Sequence, residues 1–109
     1  MRIWDISPEK LCRNHLLGEH RELHAIWSIL IHNKKGYAHH PETVRWKGKQ
    51  KALYLRHEHL VKEMVRRGYR HHSPLEISFA TGQDQQDVFV DSHEEQVCLL
   101  RQKKCRCTV

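Results

Sequence analysis

Apolar residues in the first third of the chain recur with the period of a helix. Leu16, Leu23, Trp27 and Leu30 fall on one stripe at ~100° per residue, which predicts an amphipathic helix running to about Ile31. Its start reads two ways. Ser7-Pro8-Glu9 supplies a cap, a proline at the first helical position and an acid in the first turn. Either one long helix opens there, or a short turn forms and Asn14 caps the main helix. Glu22 lies roughly a third of a turn from the centre of the stripe, at an edge where a carboxylate meets both cleft and solvent. Gly18, inside the helix at a cost of about 1 kcal/mol relative to alanine, reads as a point of close approach or as a tolerated weak spot.

Asn33 to Arg45 (NKKGYAHHPETVR) reads as a loop marked by Gly36 and Pro41. A second amphipathic helix follows from about Lys49 to Arg67. Its apolar face is Leu53, Leu60 and Met64, with Val61 and Val65 on the adjoining row. Arg66 and Arg67 suit the negative end of that helix, and Gly68 its stop. From Leu75, Ile77 and Phe79 alternate with polar residues, then TGQDQQD leads into Val88-Phe89-Val90. Residues 75–90 therefore read as a small hairpin or as an irregular ordered loop. Ser92 caps a third helix with Glu94 and Glu95 in its first turn and Val97, Leu99 and Leu100 as contacts. The expectation is an all-α fold: a compact three-helix single domain over 1–109, its N-terminal segment packed near the helices.

Composition narrows the partner. A chain of 109 residues is one domain, burying roughly two thirds of its extended surface. Nineteen Lys+Arg against thirteen Asp+Glu give +6, which favours a polyanion, nucleic acid being the commonest; the bland alternative is a basic, inert surface. No charged n-region precedes an apolar stretch, and no apolar run approaches the ~18 residues of a membrane span. Of the cysteines, Cys12 is alone and Cys98, Cys105 and Cys107 crowd the end, unlike a disulfide framework. These features predict a soluble, reduced, cytoplasmic protein without a membrane partner.

Eleven histidines invite a metal reading. His20 and His24 have the i,i+4 spacing of ligands. A zinc-protease motif, however, places its glutamate directly after the first histidine, whereas Glu22 is two residues on and points to the far side. His20 also lies close to the apolar stripe, so packed or surface histidines are the expectation. His39-His40, His71-His72 and the RHEH run from Arg56 to His59 read as loop anchors or phosphate contacts. Cys98-x6-Cys105-x-Cys107 lacks paired CxxC spacing. No metal and no cofactor is assigned.

The chain starts MRIWDIS. An α-amine ordinarily titrates near about 7.7–8.0, against about 10.4 for lysine, so a useful share is neutral near pH 7. Arg2 is bulky, and initiator methionine is trimmed before small residues, so Met1 is expected to stay and to carry the terminal amine. His15 and Glu22 are seven residues apart, hence on one side of the helix two turns apart, and Arg21 points away from the core. A carboxylate near an amine and several cations would shuttle a proton or stabilise a cation. On its own, such a string is ordinarily a solvated helix face.

These residues also form a recognisable set. Arg2-Ile3, Asn14-His15-Leu16, Glu19 and Arg21-Glu22-Leu23 resemble the start of the pyrimidine-dimer DNA glycosylase family. KGYAHHPETVRW (Lys35 to Trp46), LYLRHEHLVKEMVRRGY (Leu53 to Tyr69) and HSPL (His72 to Leu75) are similar to its small bacterial and archaeal members, so the likeness spans about 1–75. The resemblance implies a mostly helical, metal-free single domain. It implies that the N-terminal amine attacks C1′ of a damaged nucleotide, forms an imine and cuts the strand by β-elimination. It assigns catalysis to Met1 and Glu22, and DNA contacts to Arg2, His15 and Arg21 on a basic face that kinks duplex DNA and turns a base out. His39, His40, Arg66 and Arg67 are added as further phosphate contacts. Phage members start with a small residue and end in an aromatic, lysine-rich tail; here the matching positions are Met1 and the aromatic-free QKKCRCTV.

The expected activity is therefore that of a monomeric DNA repair glycosylase and AP lyase on cyclobutane pyrimidine dimers in double-stranded damaged DNA. The alternatives are the same scaffold acting on another damaged base, a non-catalytic basic DNA-binding module, and a metal-dependent nuclease.

Overall fold

The computed structural model describes residues 1–109 and is all helical, with four α-helices and no strand. These are α1 (Arg13–His32), α2 (Pro41–Val44), α3 (Gln50–Arg66) and α4 (His93–Gln102). The long helices α1 and α3 pack against each other. They bury Leu16, Leu23, Ile26 and Trp27 from one side and Leu53, Leu60 and Met64 from the other. Ile3, Trp4 and Ile6 of the N-terminal segment, Trp46, and Leu100 of α4 complete the core.

Several boundaries differ from the periodicity reading. Pro8–Lys10 forms only a 3-10 turn, and α1 begins at Arg13 with Cys12 rather than Asn14 as its cap residue. A tertiary contact decides this: the Cys12 amide donates to Cys107 Sγ (3.1 Å), so the C-terminal tail closes the helix start. Gly18 faces open space, which leaves it the tolerated weak spot. The expected loop 33–45 contains the one-turn α2. Pro41 sits in its first turn, and His40 caps it by accepting the Glu42 amide at Nδ1 (3.1 Å). On α3, Val65 is 59% exposed, outside the apolar face assigned to it.

Residues 75–90 form an ordered loop instead of a hairpin. Only Leu75 is buried; Ile77 is 66% exposed, and a single 3-10 turn spans Ile77–Phe79. The segment does for α3 what a cap residue does elsewhere. Lys49 gives α3 no side-chain cap, and the Lys51 and Ala52 amides donate instead to the carbonyls of Thr81 (2.8 Å) and Gln83 (3.1 Å). Gly82 makes the approach possible: it sits at φ +82°, and a Cβ there would lie 2.2 Å from the Gly48 carbonyl oxygen.

Gly68 ends α3 as expected, at φ +86°, with the Tyr69 amide returning to Met64 O (2.9 Å). In α4, Ser92 and Glu95 form a reciprocal capping box.

Candidate active site

The N-terminal segment runs extended, and polar side chains from three helices replace the sheet ladder it lacks. The Ile3 amide donates to Glu42 Oε1 of α2 (3.2 Å), the Trp4 amide to Glu19 Oε1 of α1 (2.9 Å), and the Asp5 amide to Gln96 Oε1 of α4 (2.7 Å). All three acceptor residues are buried. Each is itself held. Arg56 grips Glu19 with two bonds (2.7 and 3.0 Å); burial pushes the Glu19 carboxyl up while the Arg56 guanidinium pulls against it. Arg45 Nε (2.8 Å) and Trp46 Nε1 (3.3 Å) donate to Glu42. Gln96 donates to Asp5 Oδ2 and to the Asp91 carbonyl, each at 3.0 Å. Arg45, with a side chain 2% exposed, also reaches Asp5 Oδ1 (3.2 Å), Ile3 O (3.0 Å) and Val88 O (2.9 Å).

The pinned N-terminal segment brings Met1 to a cavity of about 500 Å³ between α1 and the loop after it. Glu22, Ser28, Lys34, Tyr37 and His40 share its wall. The two residues expected to be catalytic therefore meet in one concavity. The carboxylates engaged in ion pairs are Asp5, Glu9, Glu19, Glu42, Glu58, Glu63, Asp87 and Asp91; Glu22 is in none of these pairs. Glu22 is half-buried where it lines the cavity. Because His40 Nδ1 accepts the Glu42 amide, its ring proton sits on Nε2. Tyr37, at φ +58° and 72% exposed, stands over the mouth with its ring 6.4 Å from that of His40.

A second, more basic depression of about 760 Å³ adjoins the first and shares Ile29 and Lys34 with it. Lys35, His39 and Lys47 line it too. Of these cations only His39 was given a role by sequence; Lys35 and Tyr37 stand in the family-like segment KGYAHHPETVRW without one, and Lys34 and Lys47 gave no signal, because a lysine in a polar loop carries none until the fold sets it beside a cleft.

The remaining expected DNA contacts are dispersed. Arg21 is exposed on the outer face of α1. Arg2 pairs with Asp91 (2.7 Å) and lies over the Trp4 ring, 4.9 Å from its centroid. His15 faces away from the cavity, against Cys12 Sγ (3.1 Å) and Cys107 Sγ (3.2 Å). Arg66 and Arg67 are committed within the chain. Both bind Glu63, and Arg67 also donates to Leu11 O (2.6 Å) and Pro8 O (3.2 Å). The hydrogen bond from Arg66, then that from Arg67, hold the Glu63 carboxyl down at about 2. Arg67 in particular ties α3 to the 3-10 turn at Pro8–Lys10, so its guanidinium has little left for a phosphate.

Two clusters away from the cavity carry metal-ligand chemistry: Cys12, His15, Cys105 and Cys107, and His20, His24, His57 and His71. Cys98 is exposed and stands apart from the first. In the second, burial, and then the neighbouring imidazoles, push His20 down to about 4. The RHEH run and His71 are thus not simply loop anchors: His57 is fully buried on α3.

The family model described as pyrimidine dimer DNA glycosylase matches residues 1–77, covering the pinned strand, α1, both cavities and α3. The chain belongs to the pyrimidine dimer DNA glycosylase family. That places it among DNA repair glycosylases that act on pyrimidine dimers, with damaged DNA as its partner. No curated protein and no solved structure gives a significant match. The family match ends before α4 and the cysteine-bearing tail. No helix is long and apolar enough to cross a membrane.

Proposed function

We propose that the protein is a monomeric glycosylase and AP lyase that excises cyclobutane pyrimidine dimers through an imine on the Met1 amine, without a cofactor. The observation that carries this reading is the shared cavity of Met1 and the unpaired Glu22. The Met1 nitrogen attacks C1′ of the damaged nucleotide. The C1′–N bond breaks, and its electron pair leaves with the pyrimidine, which takes up a proton. Loss of the amine proton and opening of the C1′–O4′ bond give the imine. Glu22, stabilising positive charge at the sugar, then accepts the C2′ proton, and those electrons expel the 3′ phosphate. Water hydrolyses the imine and returns the amine.

Tyr37 at the mouth offers an aromatic face to a base outside the stack, and His40 Nε2 a hydrogen-bond donor. Lys34, Lys35, His39 and Lys47 offer a track for the phosphates, joined by Arg21 and Arg2. Borohydride reduction with abasic or dimer-containing duplex should trap a covalent adduct, and peptide mapping should place it on residue 1. An adduct confined to a lysine overturns the assignment of the nucleophile.

A further inference from the structure

The cysteines of the C-terminal tail lie outside the family match, and neither the cavity nor the N-terminal strand uses them. They meet the start of α1. Cys12 and His15, three apart across the first turn, face Cys105 and Cys107, and one ligand atom from each lies within 4.8 Å of the others. His15 Nδ1 is 3.1 Å from Cys12 Sγ and 3.2 Å from Cys107 Sγ. In a tetrahedral zinc site with Zn–S near 2.3 Å and Zn–N near 2.0–2.1 Å, ligand atoms stand roughly 3.5–3.8 Å apart. The four atoms already bracket that spacing, and sub-ångström shifts close it.

We propose that Cys12, His15, Cys105 and Cys107 bind one zinc ion in a closed structural site that staples the C-terminal tail to the N-terminus of α1. Three thiolates and one imidazole are a soft set that selects zinc over the hard cations, and four protein ligands leave no open position for catalysis. The surroundings suit the net negative charge of such a complex. The Cys12 amide donates to Cys107 Sγ (3.1 Å), the positive end of α1 begins at Arg13, and Arg13, Lys103, Lys104 and Arg106 line the same depression. The staple also bears on the N-terminal segment, because the His15 ring packs edge-on against Trp4 (5.7 Å between centroids). In this assignment His15 is a zinc ligand and not a phosphate contact.

A separate observation carries a second site. His20 and His24 of α1, His57 of α3 and His71 bring four ring nitrogens within 4.8 Å. Nε2 of His24 meets Nε2 of His57 at 3.1 Å, and Nε2 of His20 meets Nε2 of His71 at 3.1 Å. The other nitrogen of the buried His57 is 3.0 Å from Glu58 Oε1, the carboxylate support that metal-bound imidazoles use to hold their orientation. We infer an all-nitrogen site for a borderline divalent cation that joins α1, α3 and the segment after α3.

Both sites are read in the untagged full chain, purified under reducing conditions from zinc-replete cells. Metal analysis should return about two zinc ions per chain. Without chelator only Cys98 should react rapidly with a thiol reagent, and strong chelation should release the other three thiols and lower Tm. Cobalt loading should produce an intense thiolate-to-cobalt charge-transfer band. Cys105→Ser/Cys107→Ser should abolish that band and one zinc, whereas His71→Ala should remove one zinc and keep the band. If all four thiols react freely in the wild-type chain, or a disulfide accounts for those that do not, the cysteine site is overturned even should the double variant fail to fold. A wild-type chain holding a single, sulfur-ligated zinc overturns the histidine site.

Discussion

Glu42→Gln tests how the N-terminal strand is held. The substitution keeps the shape of the side chain and removes its charge. Glu42 accepts from the Ile3 amide, from Arg45 and from Trp46, and the Arg45 side chain is 2% exposed. The variant leaves that buried guanidinium with Asp5 as its remaining carboxylate (3.2 Å); its amide oxygen takes the place of Oε1, where all three donors converge, but accepts without a charge. Orphaning one member of a buried ion pair costs about 3–5 kcal/mol, and losing a single hydrogen bond to a charged group about 1.5–3. Because Asp5 persists, a loss of about 2–3 kcal/mol is expected, which for a domain of this size lowers Tm by roughly 10–15 °C. The Ile3 amide, two residues from Met1, would also exchange a charged acceptor for a weaker neutral one. Calorimetry measures the first effect. Single-turnover borohydride trapping at a temperature where the variant stays folded measures the second, expected to slow at least tenfold with duplex affinity little changed. A Tm within about 3 °C of wild type, or unimpaired trapping in a clearly destabilised variant, would refute the idea that this buried pair positions the terminus.

Glu22→Gln should bind dimer-containing duplex within a few-fold of wild type and lose at least ~10²-fold in single-turnover strand cleavage, the low end for a general acid–base group; near-normal cleavage removes Glu22 from the chemistry. Arg67→Ala and Arg21→Ala should separate scaffold from interface. The first should lower Tm and leave the salt dependence of DNA binding intact, and the second should do the reverse, reducing a log–log slope of roughly −4.5 (about five phosphate contacts) by about one. Equal slopes for wild type and Arg21→Ala place the duplex elsewhere. Because Arg66 and Arg67 hold the Glu63 carboxyl at about 2, below its ordinary value, its stabilising contribution is complete above about pH 4.5 and is lost as pH falls toward 2. Urea unfolding of wild type and Glu63→Gln should therefore converge over that window, and a stability difference that stays constant with pH contradicts the ion-pair assignment.

Local rules read much of this chain correctly. The apolar periods of α1 and α3, the Gly68 stop and the Ser92 cap each depend on residues within a few positions of one another, where helix geometry dictates what meets what. Met1 and Glu22 were legible as a pair through a likeness anchored at the chain start. Tertiary structure decided the rest. Between the hairpin and the irregular loop that residues 75–90 allowed, the fold takes the loop, and its Thr81 and Gln83 carbonyls accept from the first turn of α3, which has no capping side chain. Glu19, Glu42 and Gln96 received no structural role from the sequence; burial makes them the clamps of the N-terminal segment, since backbone amides with no sheet or helix partner must find their hydrogen bonds elsewhere. Glu63 meets Arg66 and Arg67 by helix spacing alone, at i,i+3 and i,i+4, but only the fold buries that carboxylate and brings the carbonyls of Pro8 and Leu11 within reach of Arg67. Cys12 and Cys107 are ninety-five positions apart in sequence and neighbours in space. Spacing along a chain reports ligand sets only when one element carries them, and here two ends of the molecule share the set.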